Sequence, residues 1–529
     1  LLQREVALKV CLEDFYEGRT IAQLEHEGIV QVHSQKVIQG YCVIDMQYVP
    51  SITLDEGIQE LKKLVTPEWN GRSWIEFLER KFPNPSLTVA QFRCREMLLK
   101  NTASESVALL GMQIAEALMH AHSKGILHLD IKPENILIHS SGKPYVMDFN
   151  VSTQKIELEQ GIPHNFGGTF DYMSPEQRDV FHANNRAEAV KKVTEASDVY
   201  SLGVVLLKML EISHLQNREA QALKSILKKA TEKEINSRFA NMQQFYSALK
   251  GYLKLCQIKT SMPSLGPILS WTRRHPILGL TLLGGIPQLL GAVVGYLYNY
   301  SQVISRLGPV QIQLFEELNI YYGIITSALA LSLWTVTLWH LSFVLKESKK
   351  LKLGEGNSRK REFLLSIPNW GALVATVSWL PGTLIFPVVM VKGKGGIEFG
   401  VAFHLVISFL LSYTIAFSYS FIIHAYLTLA TLYSDFWVGD TDIETKARME
   451  LPSILSKVRS VTILTVMIPL FSILALIYRN DSFSEPKHYY YFRTLLVLLV
   501  SPGTLGIWFA FYAREQVRLI TKLFVNDPN

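Results

Sequence analysis

Residues 128–137 read HLDIKPENIL, which sets a carboxylate at Asp130, an amine at Lys132 and an amide at Asn135 within one short polar run. A second carboxylate, Asp148, follows in MDFN, and a second amine, Lys9, stands far upstream in VALKV. Phosphoryl transfer from a nucleotide needs this set: a cation on the phosphates, oxygen ligands for Mg²⁺, and a carboxylate that orients the attacking hydroxyl and accepts its proton. In that chemistry Lys9 reaches the α- and β-phosphates and Glu17 pairs with it. Asp130 is the base, Lys132 neutralises the γ-phosphate, and Asn135 and Asp148 bind the metal. Taken singly, each residue has a plainer role. A loop Asp or Asn forms turns, a strand-edge Lys is solvated, and His128 packs.

The surrounding text predicts the elements that must carry these groups. VALKV (6–10) alternates and is β-branched, hence a strand, and residues 14–26 have helical spacing. Residues 26–49 read as a strand pair turning at Gly40. The stretch from Thr53 to about Lys100 contains prolines and reads as a helical insertion. Residues 103–125 form an amphipathic helix, with Ser104 as expected N-cap and Gly125 at its end. ILIHSSGKPYVMDFN is a hairpin around Ser141-Gly142, and residues 196–212 and 241–255 are helical. A sheet-rich small lobe followed by a helix-rich large one is the expected architecture.

With these motifs in order, the first half of the chain resembles a eukaryotic-type Ser/Thr protein kinase of the kind many bacteria carry. The resemblance rests on VALK, the Glu17 helix leading to LEHEGIV, HLDIKPEN, MDFN, GGTFDYMSPEQ (167–177), DVYSLGV (198–204) and SRF (237–239). It implies a bilobal α+β kinase fold, ATP and Mg²⁺ as cofactors, and protein Ser/Thr hydroxyls as acceptors. It further implies that Met46 is the gatekeeper and that Gln47 and Tyr48 form the hinge against adenine. Thr169 should touch Asp130 and Lys132, Glu176 should pair with Arg238, and Asp198 should brace the catalytic loop. Three departures stand out. The family's Gly-rich loop would precede Lys9 and lie upstream of this chain, and the glycines at 393–396 do not replace it because they sit between apolar spans. Leu129 stands where many of these kinases have Arg, which argues against activation by loop phosphorylation, although Ser152, Thr153 and Thr169 are available hydroxyls. Asn150 replaces the Gly after Asp148-Phe149, and Asn tolerates left-handed backbone best among non-Gly residues. The alternative reading is a pseudokinase scaffold that recruits partners without transfer.

At 529 residues the chain exceeds a single ordinary domain, and its composition changes near residue 265 from mixed to long uncharged stretches. Six of these are long enough to span a bilayer: about 276–298, 319–345, 366–391, 399–427, 460–478 and 494–513. Lipid offers backbone groups no partners, so each must be a helix. Arg273, Arg274, the basic loop 346–362 and the Lys and Arg of KARMELPSILSKVR mark one side as cytoplasmic, with both termini there. The organisation predicted is a kinase domain (1–258), a juxtamembrane linker (259–275), a six-helix transmembrane domain (276–513) and a cytoplasmic tail (514–529). The chain is then a multi-pass protein of the plasma membrane whose partners are ATP, a protein substrate, the lipid bilayer and, as an open option, a second copy.

The net charge of +6 would suit nucleic acid, but the basic excess lies beside apolar spans, so no nucleic-acid partner is expected. Four cysteines without a CxxC pair argue against a zinc site or a disulfide framework. His340, His404 and His424 are the ionisable residues inside the expected spans, which speaks against an ion pathway and for anchoring or sensing. Trp334, Trp339, Trp370, Trp379 and Tyr489 to Tyr491 sit near span ends and read as interface anchors.

Overall fold

The computed structural model describes residues 5–12, 24–63, 69–83, 85–149, 153–154, 169–213, 215, 217–261, 266–348, 356–393, 395–437, 443–477 and 486–525. These fall into two compact units, with residues up to Gln257 forming the body of one and residues from Ile258 the body of the other.

In the first unit, β1 (Val6–Leu12), β2 (Val32–Ile38) and β3 (Tyr41–Gln47) make an antiparallel sheet in the order β1-β3-β2. The β2–β3 turn has positive φ at Gln39 (52°) and Gly40 (80°), the geometry that matches strand twist in a two-residue hairpin. Strand alternation exposes Val6, Leu8 and Val10 on one face and turns Ala7 and Lys9 to the other. In register, Lys9 stands opposite Ile44 and Ala7 opposite Met46. A second sheet, β4 (Ser51–Thr53), β6 (Ile136–His139) and β7 (Pro144–Val146), carries the hairpin around Gly142, and β5 (Ile126–Leu127) pairs with β8 (Thr153–Gln154).

The insertion resolves into α1 (Leu54–Lys62), α2 (Gly71–Lys81) and α3 (Val89–Lys100). Reciprocal capping boxes start α2 (Asn70 with Ser73) and α3 (Thr88 with Gln91), and Trp74, Leu78 and Leu98 are buried in the core. The long helix α4 (Ala103–Ser123) is capped by Thr102, not by the expected Ser104. A capping box needs a polar side chain three residues after the cap that reaches back to its N–H: Thr102 has Glu105 there, whereas Ser104 has Val107. Gly125, with φ 76°, turns the chain out of the helix as expected. α4 packs its apolar stripe, including Val107, Ile114 and Leu118, against Val199, Leu202 and Leu206 of α7 (Glu195–Ile212). Each such side chain contributes roughly 1.5–3 kcal/mol by leaving water. The helices α5 (Pro175–His182), α6 (Arg186–Val190), α8 (Arg218–Ala230) and α9 (Met242–Ser261) complete the helical part.

Among its described residues the second unit has helices and no strand: α10 (Pro267–Arg274), α11 (Pro276–Gln302), α12 (Pro309–Ser348), α13 (Gly356–Trp379), α14 (Gly382–Lys392), α15 (Phe399–Thr431), α16 (Ile443–Ile477) and α17 (Pro486–Val525). Among the described residues four stretches are long and apolar enough to cross a membrane: Pro276–Arg306, Pro309–Glu347, Ser358–Lys392 and Phe399–Thr431. The third breaks at Pro381, which has no N–H to give. The Tyr322 hydroxyl bridges the next backbone pair, which an unbroken helix would bond directly, donating to Ser378 O (2.8 Å) and accepting from Gly382 N (2.9 Å). Trp334 and Trp379 donate to Thr281 Oγ1 (3.1 Å) and Gln288 Oε1 (3.0 Å) of α11, so each indole N–H has a partner within the helical unit. The His424 ring lies where a Cβ on Gly284 or Gly371 would come within 2.2 or 2.6 Å of it, so three helices close around an imidazole because two of them present glycine. His404 bonds the Tyr298 hydroxyl at 2.9 Å, and His340 stacks on Phe363.

One basic residue of the loop read as an orientation signal has a different place. Arg361 is fully buried, with Nε and Nη2 3.0–3.2 Å from the Glu450 carboxylate, Nη1 donating to Phe436 O, and its plane 3.7 Å from the Trp437 ring. Tyr433 donates to the same carboxylate. Arg361→Met strands Glu450, and because that side chain keeps 19% exposure the expected cost is at the low end for a broken buried pair, about 3 kcal/mol, read as an earlier thermal transition of the detergent-solubilised protein.

Candidate active site

The run HLDIKPEN folds as a loop between β5 and β6, closed by a 3-10 turn at Pro133–Asn135. Leu129 takes φ 62°, a left-handed conformation unfavourable for leucine, and both of its backbone groups are held. Its N–H donates to Asp198 Oδ1 (2.8 Å) and its carbonyl accepts from Gln177 Nε2 (2.9 Å). Its side chain is buried with Leu127, Val180, Val190 and Val193. A guanidinium would not fit this apolar cluster, which is the structural counterpart of the missing Arg.

The turn at Leu129 directs Asp130 to a convergence of donors. Asp130 Oδ1 accepts from Thr169 N (2.7 Å) and Thr169 Oγ1 (3.0 Å), while Oδ2 accepts from Asn135 Nδ2 (3.0 Å) and lies 3.1 Å from Lys132 Nζ. Lys132 also donates to Thr169 Oγ1 at 2.8 Å. Asn135 spends its amide N–H groups on Asp130, whose backbone carbonyl it bonds as well, and so presents its oxygen as an acceptor. Met147 N donates to Asn135 O (3.0 Å), which sets Asp148 beside Asn135. Asp148, at φ 60°, pairs with Lys9 at 2.6 Å. Residues from three distant parts of the chain thus meet.

Oxygen donors of this kind suit a hard cation. Among the described residues no group of three or more His, Cys, Asp or Glu is placed to hold a metal. A pairing of one carboxylate with one amide oxygen fits Mg²⁺, which keeps waters and phosphate oxygens as its other ligands.

His128 is wholly buried, and burial lowers its pKa. A neutral ring with the proton on Nε2 donates to Met147 O (3.1 Å) and accepts from Asp130 N at Nδ1 (3.3 Å). It tilts against the buried Phe149 ring at 4.5 Å. Met46 packs with Leu137 and Met147 against Val30, Val49 and Tyr145. Gln47 N donates to Gln31 O, and Tyr48 is half exposed.

Behind the loop, Arg238 binds Glu176 through two bonds of 2.8 and 2.7 Å, and Ser197 donates to the same carboxylate. Asp198 accepts from His128 N and Leu129 N on one side and faces His122 on the other. Glu17 and Asn150 lie outside the described residues. The sequence reading missed His122, Ser197 and Gln177. Gln177 had a signal, since Ser174 to Gln177 has capping-box spacing; the other two are recognisable only by what they touch.

Residues 89–261 match the protein kinase domain family. The chain is 28% identical over 276 residues to the probable serine/threonine-protein kinase PknB of Lactococcus lactis, covering 46% of this chain and 36% of that protein. It is 25% identical over 285 residues to the serine/threonine-protein kinase PrkC of Bacillus subtilis, covering 47% and 37%. Over 125 residues it is 35% identical to the serine/threonine-protein kinase AfsK of Streptomyces coelicolor, covering 24% and 14%. The chain thus spans little more than a third of the length of the first two. With that match lying over the loop, the contacts of Thr169 and the Glu176–Arg238 pair, the chain carries a protein kinase domain akin to those of bacterial serine/threonine kinases, followed, among the described residues, by four helices long and apolar enough to cross a membrane.

Proposed function

We propose that this protein is a membrane-embedded Ser/Thr protein kinase that transfers the γ-phosphate of ATP to protein hydroxyls. The observation that carries the reading is the shared carboxylate of Asp130, bonded by Thr169, Lys132 and Asn135 beside the Lys9–Asp148 pair. Asp130 orients the acceptor hydroxyl and takes its proton. Thr169 and Asn135 hold the carboxylate in the direction needed, so no reorganisation is required as the proton moves. Lys132 lies where charge develops on the transferred group. With nucleotide bound, Lys9 would leave Asp148 for the phosphates, and Asn135 and Asp148 would hold Mg²⁺, which would offset the phosphate charge. Met46, Leu137 and Met147 form an apolar floor for the base, with Gln47 and Tyr48 as the hinge. Glu17 holds Lys9 from its helix. Glu176, Arg238 and Asp198 are structural.

The helical unit anchors the kinase as a six-span domain over 276–513, joined by a linker at 259–275 to the catalytic domain of residues 1–258 and ending in a tail from 514. Basic connections set the catalytic domain and both termini in the cytoplasm, where ATP is. The membrane part acts as anchor or sensor in signalling, and a homodimer is compatible with it.

Purified full chain incubated with labelled ATP, Mg²⁺ and a generic basic protein should transfer label. Lys9→Met or chelation of Mg²⁺ should remove the signal. Equal label with and without Lys9 would leave only a binding scaffold.

A further inference from the structure

α10 (Pro267–Arg274) follows the residues matched to the kinase family and precedes α11, the first of the long apolar helices. We infer that α10 is an interfacial helix that lies in a lipid surface, burying Ile268 and Trp271 below the headgroups and holding an anionic lipid phosphate with Arg274. This rests on the membrane reading of the helical unit and adds a lipid class to it.

PILSWTRR is too short and too polar to span hydrocarbon, yet its residues sort by face. Pro276 has no N–H and keeps His275 out of helical conformation, at φ −127° and ψ 65°, so the chain bends there and α10 is a helix of its own. One face is held by the bundle. Leu269 packs against the cluster that contains Leu280 and Leu364, and Thr272 is wholly buried. Thr272 lies so close to α11 that a Cβ on Gly279 would come within 2.5 Å of its methyl group. Arg273 reaches Asp435 at 3.2 Å.

The other face points outward. Ile268 is 63% and Trp271 39% exposed, one turn apart, and Arg274 follows a turn later, exposed and without an ion pair among the described residues. Leu278, Leu282, Ile286 and Leu289 of α11 are exposed at helical spacing and form an apolar stripe. On the membrane reading hydrocarbon covers that stripe, and Ile268 and Trp271 extend it past the start of the span. A short amphipathic helix with Trp on its apolar side and Arg beside it settles at headgroup depth. There a guanidinium meets phosphate through two parallel N–H donors. With Arg273 paired to Asp435 and no acid between Pro267 and Pro276, Arg274 brings a net positive charge, which favours lipids of net negative charge over zwitterionic ones.

The test uses the full chain reconstituted into phosphatidylcholine vesicles in which a fixed fraction is replaced by brominated phosphatidylcholine or brominated phosphatidylglycerol. Bromine quenches tryptophan emission on contact. The difference between wild type and Trp271→Phe isolates Trp271 from the other tryptophans. Trp271 should be quenched by both lipids, and about two- to fivefold more effectively by phosphatidylglycerol, the enrichment that one cation at an anionic surface gives. Added salt should shrink that preference. The same difference taken in an Arg274→Gln background should show Trp271 still quenched, with the two lipids equal. Trp271 left unquenched while exposed span residues such as Trp339 are quenched overturns this inference alone, as does equal quenching by both lipids in the wild type. A preference that survives Arg274→Gln overturns it too, by assigning the lipid to another cation. A chain in which no tryptophan is quenched removes the membrane reading and this inference with it.

Discussion

Asp130→Asn should lower kcat by about 10²–10⁴-fold while leaving ATP affinity almost unchanged. The amide has nearly the same shape as the carboxylate, so the side chain still fills its place and the fold of the loop is preserved. Only one oxygen remains, however. It can face Thr169 or Asn135, and the NH₂ must face the other's donor. The loop therefore keeps its outline but loses both the proton acceptor and the balance of its contacts. Since Lys9 and Asp148 are untouched, nucleotide binding measured by a fluorescent analogue should persist. Loss of binding and transfer together would mean that Asp130 only supports the fold.

The largest effect on stability is expected at the Glu176–Arg238 pair. Both side chains are buried, at 4% and 0% exposure, so removing one leaves the other charged and unpaired, at a cost of about 3–5 kcal/mol. For a unit of this size that corresponds to a lowering of Tm by about 10 °C. Arg238→Met should cost more than Glu176→Gln, because Arg238 also donates to the carbonyls of Ala196, Glu232 and Lys233, which would lose their partner. The pair also sets an acid limit. Burial would raise the Glu176 pKa, but the bonds from Arg238 and Ser197 outweigh it and hold the carboxyl below its usual range. With a depressed folded-state pKa, the stabilisation is present above the unfolded value and fades as pH falls through the folded one. Thermal melts at falling pH should show a slope in the wild type that Glu176→Gln reduces. An identical slope in both would assign acid lability to other carboxylates.

These two sites differ in how they could be read. The placing of Asp130, Lys132 and Asn135 was legible because they share one short loop, where spacing is geometry. The contact of Thr169 with Asp130 and the meeting of Glu176 with Arg238 were legible only through the resemblance, since nothing in the local text of either segment points to the other. His122 was not legible at all. On α4 its sequence neighbours are ordinary helix, and its partners Asp198 and Glu195 are brought against it by α7. The Ser104 expectation failed for a local reason that could have been avoided: the capping-box rule favours Thr102 once Glu105 is counted.

In the second unit the same division holds. Apolar length alone requires helices, because hydrocarbon leaves backbone groups no partners but one another, and the helices stand where the uncharged stretches lie. Charge counting treated Arg361 as one cation among several in a cytoplasmic loop, whereas the fold encloses it between Glu450 and Trp437. The chain order therefore determined which segments become strands and helices, since periodicity and length act over neighbouring residues. Which charges are paired, which are buried and where Asp130 points was decided by tertiary structure, because electrostatic and hydrogen-bond energies depend on distance in space and on exclusion of water, neither of which is written along the chain.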